Sequence, residues 1–105
     1  MKGKGYTTLT IPEAKRLLRE DRRAILVDTR SLAEYRKGTL PGSVSIPEAE
    51  LDRKAPTVLP DRNVPVMVFC RTGGCSWRSA QRLAELGYTQ VYDVSGYLEW
   101  QLANE

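Results

Sequence analysis

The chain is predicted to be an α/β protein with a parallel sheet covered by helices on both faces. Three observations predict it. Two runs, Ala24-Ile25-Leu26-Val27-Asp28 and Val64-Pro65-Val66-Met67-Val68-Phe69, have the unbroken apolar character of strands buried on both sides. Between and around them lie segments with apolar positions at helical spacing, as at Ile11, Ala14, Leu17 and Leu18. A length of 105 residues, 41% of them hydrophobic and 28% charged, suits one core rather than two, so residues 1–105 are read as a single domain.

The elements follow in order. Thr10-Ile11-Pro12-Glu13 opens a helix with a capping Thr, a Pro in the first turn and a Glu three residues on. The first buried strand is Ala24–Asp28. Ser31-Leu32-Ala33-Glu34 is a second capping box and starts a short helix ending near Lys37-Gly38. Pro41-Gly42 turns the chain into a brief strand at Ser43–Ile46. Prolines and charges from Pro47 to Arg62 predict irregular structure with a helical turn or two. The strand Val64–Phe69 leads through a loop to a helix at Ser79–Leu86 with a glycine stop at Gly87. Val91–Val94 is the last strand and Tyr97–Ala103 the last helix.

Both cysteines fall in one loop, Cys70-Arg71-Thr72-Gly73-Gly74-Cys75-Ser76-Trp77-Arg78-Ser79, between a strand end and a helix start. In α/β sheets ligands bind beyond the carboxyl ends of the strands, where this loop lies. Backbone N–H groups and the positive end of a helix dipole favour an anion there, and they push a thiol toward the nucleophilic thiolate. Gly73-Gly74 allow the tight curl of an anion cradle, while Arg71 and Arg78 add positive charge. The pattern points to cysteine chemistry on an anionic substrate.

The composition excludes several alternatives. With no histidine, the chain cannot build a Ser-His-Asp triad, a Cys-His pair or a histidine-containing zinc site. No metal or other cofactor is expected. The net charge of +3 is mild, and the basic residues Lys15, Arg16, Arg19, Arg22 and Arg23 are interleaved with Glu13, Glu20 and Asp21. That is a solvated helix face rather than a nucleic-acid footprint. No apolar run has membrane-spanning length and Met1–Gly5 is not followed by an apolar signal region, so a cytoplasmic protein is expected.

These residues resemble a known family. Leu26-Val27-Asp28-Thr29-Arg30, Glu34-Tyr35 and Gly38-Thr39-Leu40-Pro41-Gly42-Ser43-Val44-Ser45-Ile46-Pro47 are similar to the first signature of rhodanese-like domains. Val68-Phe69-Cys70-Arg71-Thr72-Gly73 and Arg78-Ser79-Ala80 resemble the family's active-site loop. Gly87-Tyr88, Val91-Tyr92 and Gly96-Tyr97-x-x-Trp100 resemble its closing segment. The resemblance implies a central five-stranded parallel sheet and a loop cysteine, here Cys70, that carries sulfane sulfur as a persulfide. It implies a sulfurtransferase that takes sulfur from thiosulfate or a related small anion and passes it to cyanide or to a thiol, of a small molecule or a protein. Three departures stand out. Cys70 to Arg78 is Cys-x7-Arg where the family has Cys-x4-Arg, Cys75 is an additional loop thiol, and Thr39 and Tyr97 replace a His and a Gly.

The roles expected in the loop follow. Cys70 is the nucleophile, and Arg71, Thr72, Gly73, Gly74, Ser76 and Arg78 are candidate substrate contacts. Cys75 is either an inserted residue without a role, a resolving thiol that attacks a persulfide on Cys70, or the nucleophile itself with Cys70 resolving. Arg78 either neutralises substrate or braces the loop by pairing with Glu34 or Asp28. Trp77 either walls the pocket or packs against the sheet, and its size favours packing. Asp28 and Arg30 are read as scaffold groups, Tyr35 and Trp100 as core. Two other function classes stay open: a thiol redox protein or polysulfide reductase cycling through a Cys70–Cys75 disulfide, and a non-catalytic regulatory module.

Overall fold

A computed structural model describes residues 5–72 and 75–103. Five parallel strands form one sheet in the order β1-β5-β4-β2-β3: β1 Thr7–Thr8, β2 Ile25–Asp28, β3 Val44–Ser45, β4 Val66–Cys70 and β5 Val91–Gly96. The α/β architecture and the five-stranded parallel sheet are as expected. The central strand is β4, buried at every residue. Its alternating side chains feed two cores. Val66 and Val68 join Val27, Ile46, Leu51, Leu59, Leu83 and Val91 on one side. Met67 and Phe69 join Ala14, Leu26, Val94 and Trp100 on the other. A strand whose two faces are both covered must be apolar throughout, which is why Val66–Phe69 shows no polar alternation.

The helices are α1 Ile11–Glu20, α2 Leu32–Lys37, α3 Leu51–Val58, α4 Ser76–Glu85 and α5 Tyr97–Ala103, with a 3₁₀ turn at Glu48–Glu50. Both predicted capping boxes form. Thr10 Oγ1 accepts from the Glu13 N–H at 3.2 Å while Glu13 accepts from the Thr10 N–H at 2.8 Å, and Ser31 and Glu34 repeat the arrangement. α3 contains Pro56; Leu51 and Ala55 bury its inner face, and the Tyr88 hydroxyl ties down its end through the carbonyls of Ala55 and Leu59 at 3.0 and 2.6 Å. α4 begins at Ser76, three residues before the expected start, so Trp77 and Arg78 are helical rather than part of the loop. Among the described residues, no helix is long and apolar enough to cross a membrane.

Candidate active site

β4 delivers Cys70 to the carboxyl edge of the sheet, where it is 6% exposed. Five residues later Cys75, half-buried, is the residue that caps α4, and its side chain makes no capping hydrogen bond. The first N–H groups of a helix have no partner within it, so the start of α4 offers donors and the positive end of its dipole directly to the cysteine loop. The two sulfurs are joined in a disulfide, with α-carbons 6.5 Å apart. That separation lies inside the range a bridge needs. Gly73 and Gly74, expected to supply cradle N–H groups, lie outside the described residues.

Thr72 is exposed, and its carbonyl oxygen lies against both sulfurs, 3.6 Å from Cys75 Sγ. The first half of the loop is seated on the β5–α5 junction. The Leu98 N–H donates to the Arg71 carbonyl at 3.2 Å, and a β-carbon on Gly96 would run into the Thr72 backbone. Position 96 is therefore glycine because the loop backbone occupies the place of a side chain.

The two arginines hold the loop from outside. Arg71 Nε donates to Glu34 Oε2 at 2.7 Å, and Arg78 Nε donates to Glu48 Oε2 at 3.0 Å. The hydrogen bond from Arg71 holds the Glu34 carboxyl below its ordinary pKa, outweighing its desolvation. The expected pairing of Arg78 with Glu34 or Asp28 is thus corrected: Arg71 takes Glu34 and Arg30 takes Asp28. Bracing of the loop by Arg78 stands, with Glu48 as its partner. Both guanidinium groups are more than half exposed and lie on the rim. Ser76 is buried, and its hydroxyl donates to the Asp93 carboxylate. Its hydroxyl is thus committed to β5, which leaves the backbone N–H at the helix start as its contribution to the loop. Trp77 is 42% exposed, against the expectation that it packs on the sheet. With Tyr6, Thr8, Gln81 and Asp93 it lines a cleft of about 480 Å³ beside the loop.

Asp28 and Arg30 form the scaffold expected of them. Asp28 is fully buried and accepts from the Arg30 N–H at 2.9 Å, from Arg30 Nη2 at 2.8 Å and from Thr39 Oγ1 at 2.8 Å. Arg30 also donates to the Gly38 carbonyl at 2.6 Å and lies over the Tyr97 ring, 3.9 Å from its centre. The two residues that depart from the family pattern, Thr39 and Tyr97, thus complete the same network. Trp100 is core, with its indole N–H donating to the Val94 carbonyl at 2.7 Å, whereas Tyr35 is half-buried and donates to Ser43. Sequence reasoning did not find Asp93, Glu48 or the seating of Thr72 on Gly96. Each is a contact between segments far apart in the chain, with no local signal. Among the described residues no three His, Cys, Asp or Glu side chains are grouped to hold a metal ion. Chemically, the site is a dithiol–disulfide pair at an uncapped helix start, ringed by paired arginines.

Residues 10–103 match the family model of the rhodanese-like domain. The chain is 33% identical over 70 residues to the thiosulfate sulfurtransferase PspE of Escherichia coli, covering 67% of each chain. It is 33% identical over 109 residues to the thiosulfate:glutathione sulfurtransferase of Homo sapiens, covering 91% of this chain and 94% of the relative. Among solved structures, a thiosulfate sulfurtransferase from Pseudomonas aeruginosa superposes with a TM-score of 0.80 at 29% identity over 95% of this chain. The chain spans 19% of that longer protein.

Proposed function

Because the chain belongs to the rhodanese-like domain family, we propose that it is a single-domain sulfurtransferase carrying sulfane sulfur as a persulfide on Cys70. The observation that supports this reading most is the placement of Cys70 at the carboxyl end of the central strand, facing the uncapped start of α4. The names of the relatives supply the substrate classes: thiosulfate as donor and a thiol as acceptor.

In the reduced protein, the Cys70 thiolate attacks the outer sulfur of thiosulfate. The sulfur–sulfur bond of the donor breaks and sulfite leaves with the electron pair. An acceptor thiolate, or cyanide, then attacks the outer sulfur of the persulfide and returns Cys70 as thiolate. Charge on the donor and on the persulfide is met by backbone N–H groups of the loop and of the first turn of α4. Arg71 and Arg78, fixed by Glu34 and Glu48 on the rim, draw in the anion. The chemistry needs no cofactor, and it belongs in a thiol-reducing compartment such as the cytoplasm.

A second reading, a protein that cycles only between dithiol and disulfide, is favoured by the Cys70–Cys75 bond. Intact mass spectrometry after reduction and brief exposure to thiosulfate separates the two. One added sulfur atom is expected on Cys75→Ser and none on Cys70→Ser. Sulfur on Cys70→Ser alone would move the carrier to Cys75. No adduct on either variant would leave a regulatory or purely redox module.

A further inference from the structure

Building on the Cys70 persulfide, we infer that Cys75 is a resolving thiol, so that the loaded protein releases its sulfur as hydrosulfide and closes the Cys70–Cys75 disulfide. The Cys75 thiolate attacks Sγ of Cys70, the inner sulfur of the persulfide. A bond forms between the two cysteine sulfurs, and the bond from Cys70 Sγ to the outer sulfur breaks. The outer sulfur leaves with the electron pair as hydrosulfide. The two thiols are oxidised by two electrons and the sulfane sulfur is reduced by two. An external dithiol then reduces the bridge by two exchange steps and becomes a disulfide itself. The net reaction converts thiosulfate and a dithiol into sulfite, hydrosulfide and the oxidised dithiol.

Four observations carry this. The bridge forms within the fold, with α-carbons 6.5 Å apart, so the product of the step needs no rearrangement of the sheet. Cys75 stands at the cap position of α4 with no capping hydrogen bond from its side chain, so its sulfur is not committed to the helix and is available to attack Cys70. The two sulfurs differ in access: Cys70 is 6% exposed at a strand end and Cys75 is half-buried. A reductant therefore reaches Cys75 first and expels Cys70 as the thiolate ready for the next donor. Finally, the Thr72 carbonyl oxygen faces both sulfurs in the bridged loop. With both sulfurs tied to each other beneath it, neither is a thiolate able to attack thiosulfate until the bridge is reduced.

The experiment starts from reduced protein freed of reductant, charged with thiosulfate without oxygen. Intact mass and trapped hydrosulfide are then followed over time. Wild type is expected to pass through a one-sulfur adduct to a species two hydrogens lighter than the dithiol, with about one hydrosulfide released per chain. Cys75→Ser and Cys75→Ala are expected to hold the adduct and release at least about tenfold less hydrosulfide. A wild-type adduct as long-lived as that of the two variants, with no hydrosulfide, would overturn the resolving role and leave the persulfide reading intact. If neither variant gains sulfur, the persulfide reading itself falls, and the resolving step with it.

Discussion

Two neighbouring strands end side by side at the same edge of the sheet, Asp28 opposite Phe69, and they end in opposite ways. Beyond β2 the polar side chains are held in one hydrogen-bonded network. The Asp28 carboxylate holds Arg30 and Thr39, the Thr29 hydroxyl and N–H both donate to the Phe69 carbonyl, and Arg30 reaches across to Gly38. Beyond β4 the two ends of the loop are tied by the Cys70–Cys75 bond, and the helix that follows starts without a side-chain cap. Its arginines point to carboxylates on the rim. The first strand end spends its hydrogen-bonding capacity on holding still. The second opens onto a helix start without a side-chain cap, where the positive end of the dipole suits a thiolate or an anionic donor. The rigid end braces the reactive one through Tyr97, which packs on Arg30 and stacks near Phe69, the residue before Cys70.

Substitutions that break this contrast are expected to differ in size. The largest effect belongs to Arg30→Met. It strands a buried carboxylate whose main partner is gone, and a broken buried pair costs about 3–5 kcal/mol. The urea midpoint measures it, and a loss below about 1 kcal/mol would deny the Asp28–Arg30 unit its role as clamp. Gly96→Ala comes next. The added methyl meets the Thr72 backbone, and the overpacking is expected to cost about 1–3 kcal/mol. The displaced loop should also lower the rate of sulfur loading in proportion more than stability, which single-turnover mass spectrometry reads. Equal loading rates in the two proteins would show that the seat of Thr72 is unimportant to the reaction.

The smallest effect is that of Glu34→Gln on the rim. The folded-state pKa of Glu34 is depressed, chiefly by the Arg71 hydrogen bond, so its contribution is complete above the ordinary carboxylate range. It is lost as pH falls through the depressed folded-state value. The difference in urea midpoint between wild type and the variant should therefore be present at neutral pH and vanish in strong acid. A difference that grows in acid would reverse the assigned sign.

Much of this architecture was legible because it is local. The capping boxes at Thr10 and Ser31 lie within four residues of chain, and the buried strands announce themselves by unbroken apolar runs. β1, only Thr7–Thr8, was not readable, since two threonines gain strand form from pairing with Tyr92 and Asp93 rather than from any pattern of their own. The first turn of α4 was missed for a similar reason. Ser76-Trp77-Arg78 has no capping residue before it, and burial of Ser76 against Asp93 sets the start. At the site, the cysteines and their loop were evident from residue type and flanking elements. The arginine partners were not, because Glu34 and Glu48 compete for the same cations and only the tertiary arrangement decides between them.

The exposure of Trp77 has a practical side. The chain has two tryptophans, and they occupy opposite environments: Trp77 is 42% exposed two residues after Cys75, and Trp100 is 4% exposed in the core. Their emission is separable in principle, a solvent-quenchable red component from Trp77 and a shielded blue one from Trp100. The molecule therefore carries its own pair of optical gauges. One sits beside the thiol pair and the other registers whether the core is intact, so that a label-free stopped-flow trace can distinguish a change of loop state from unfolding.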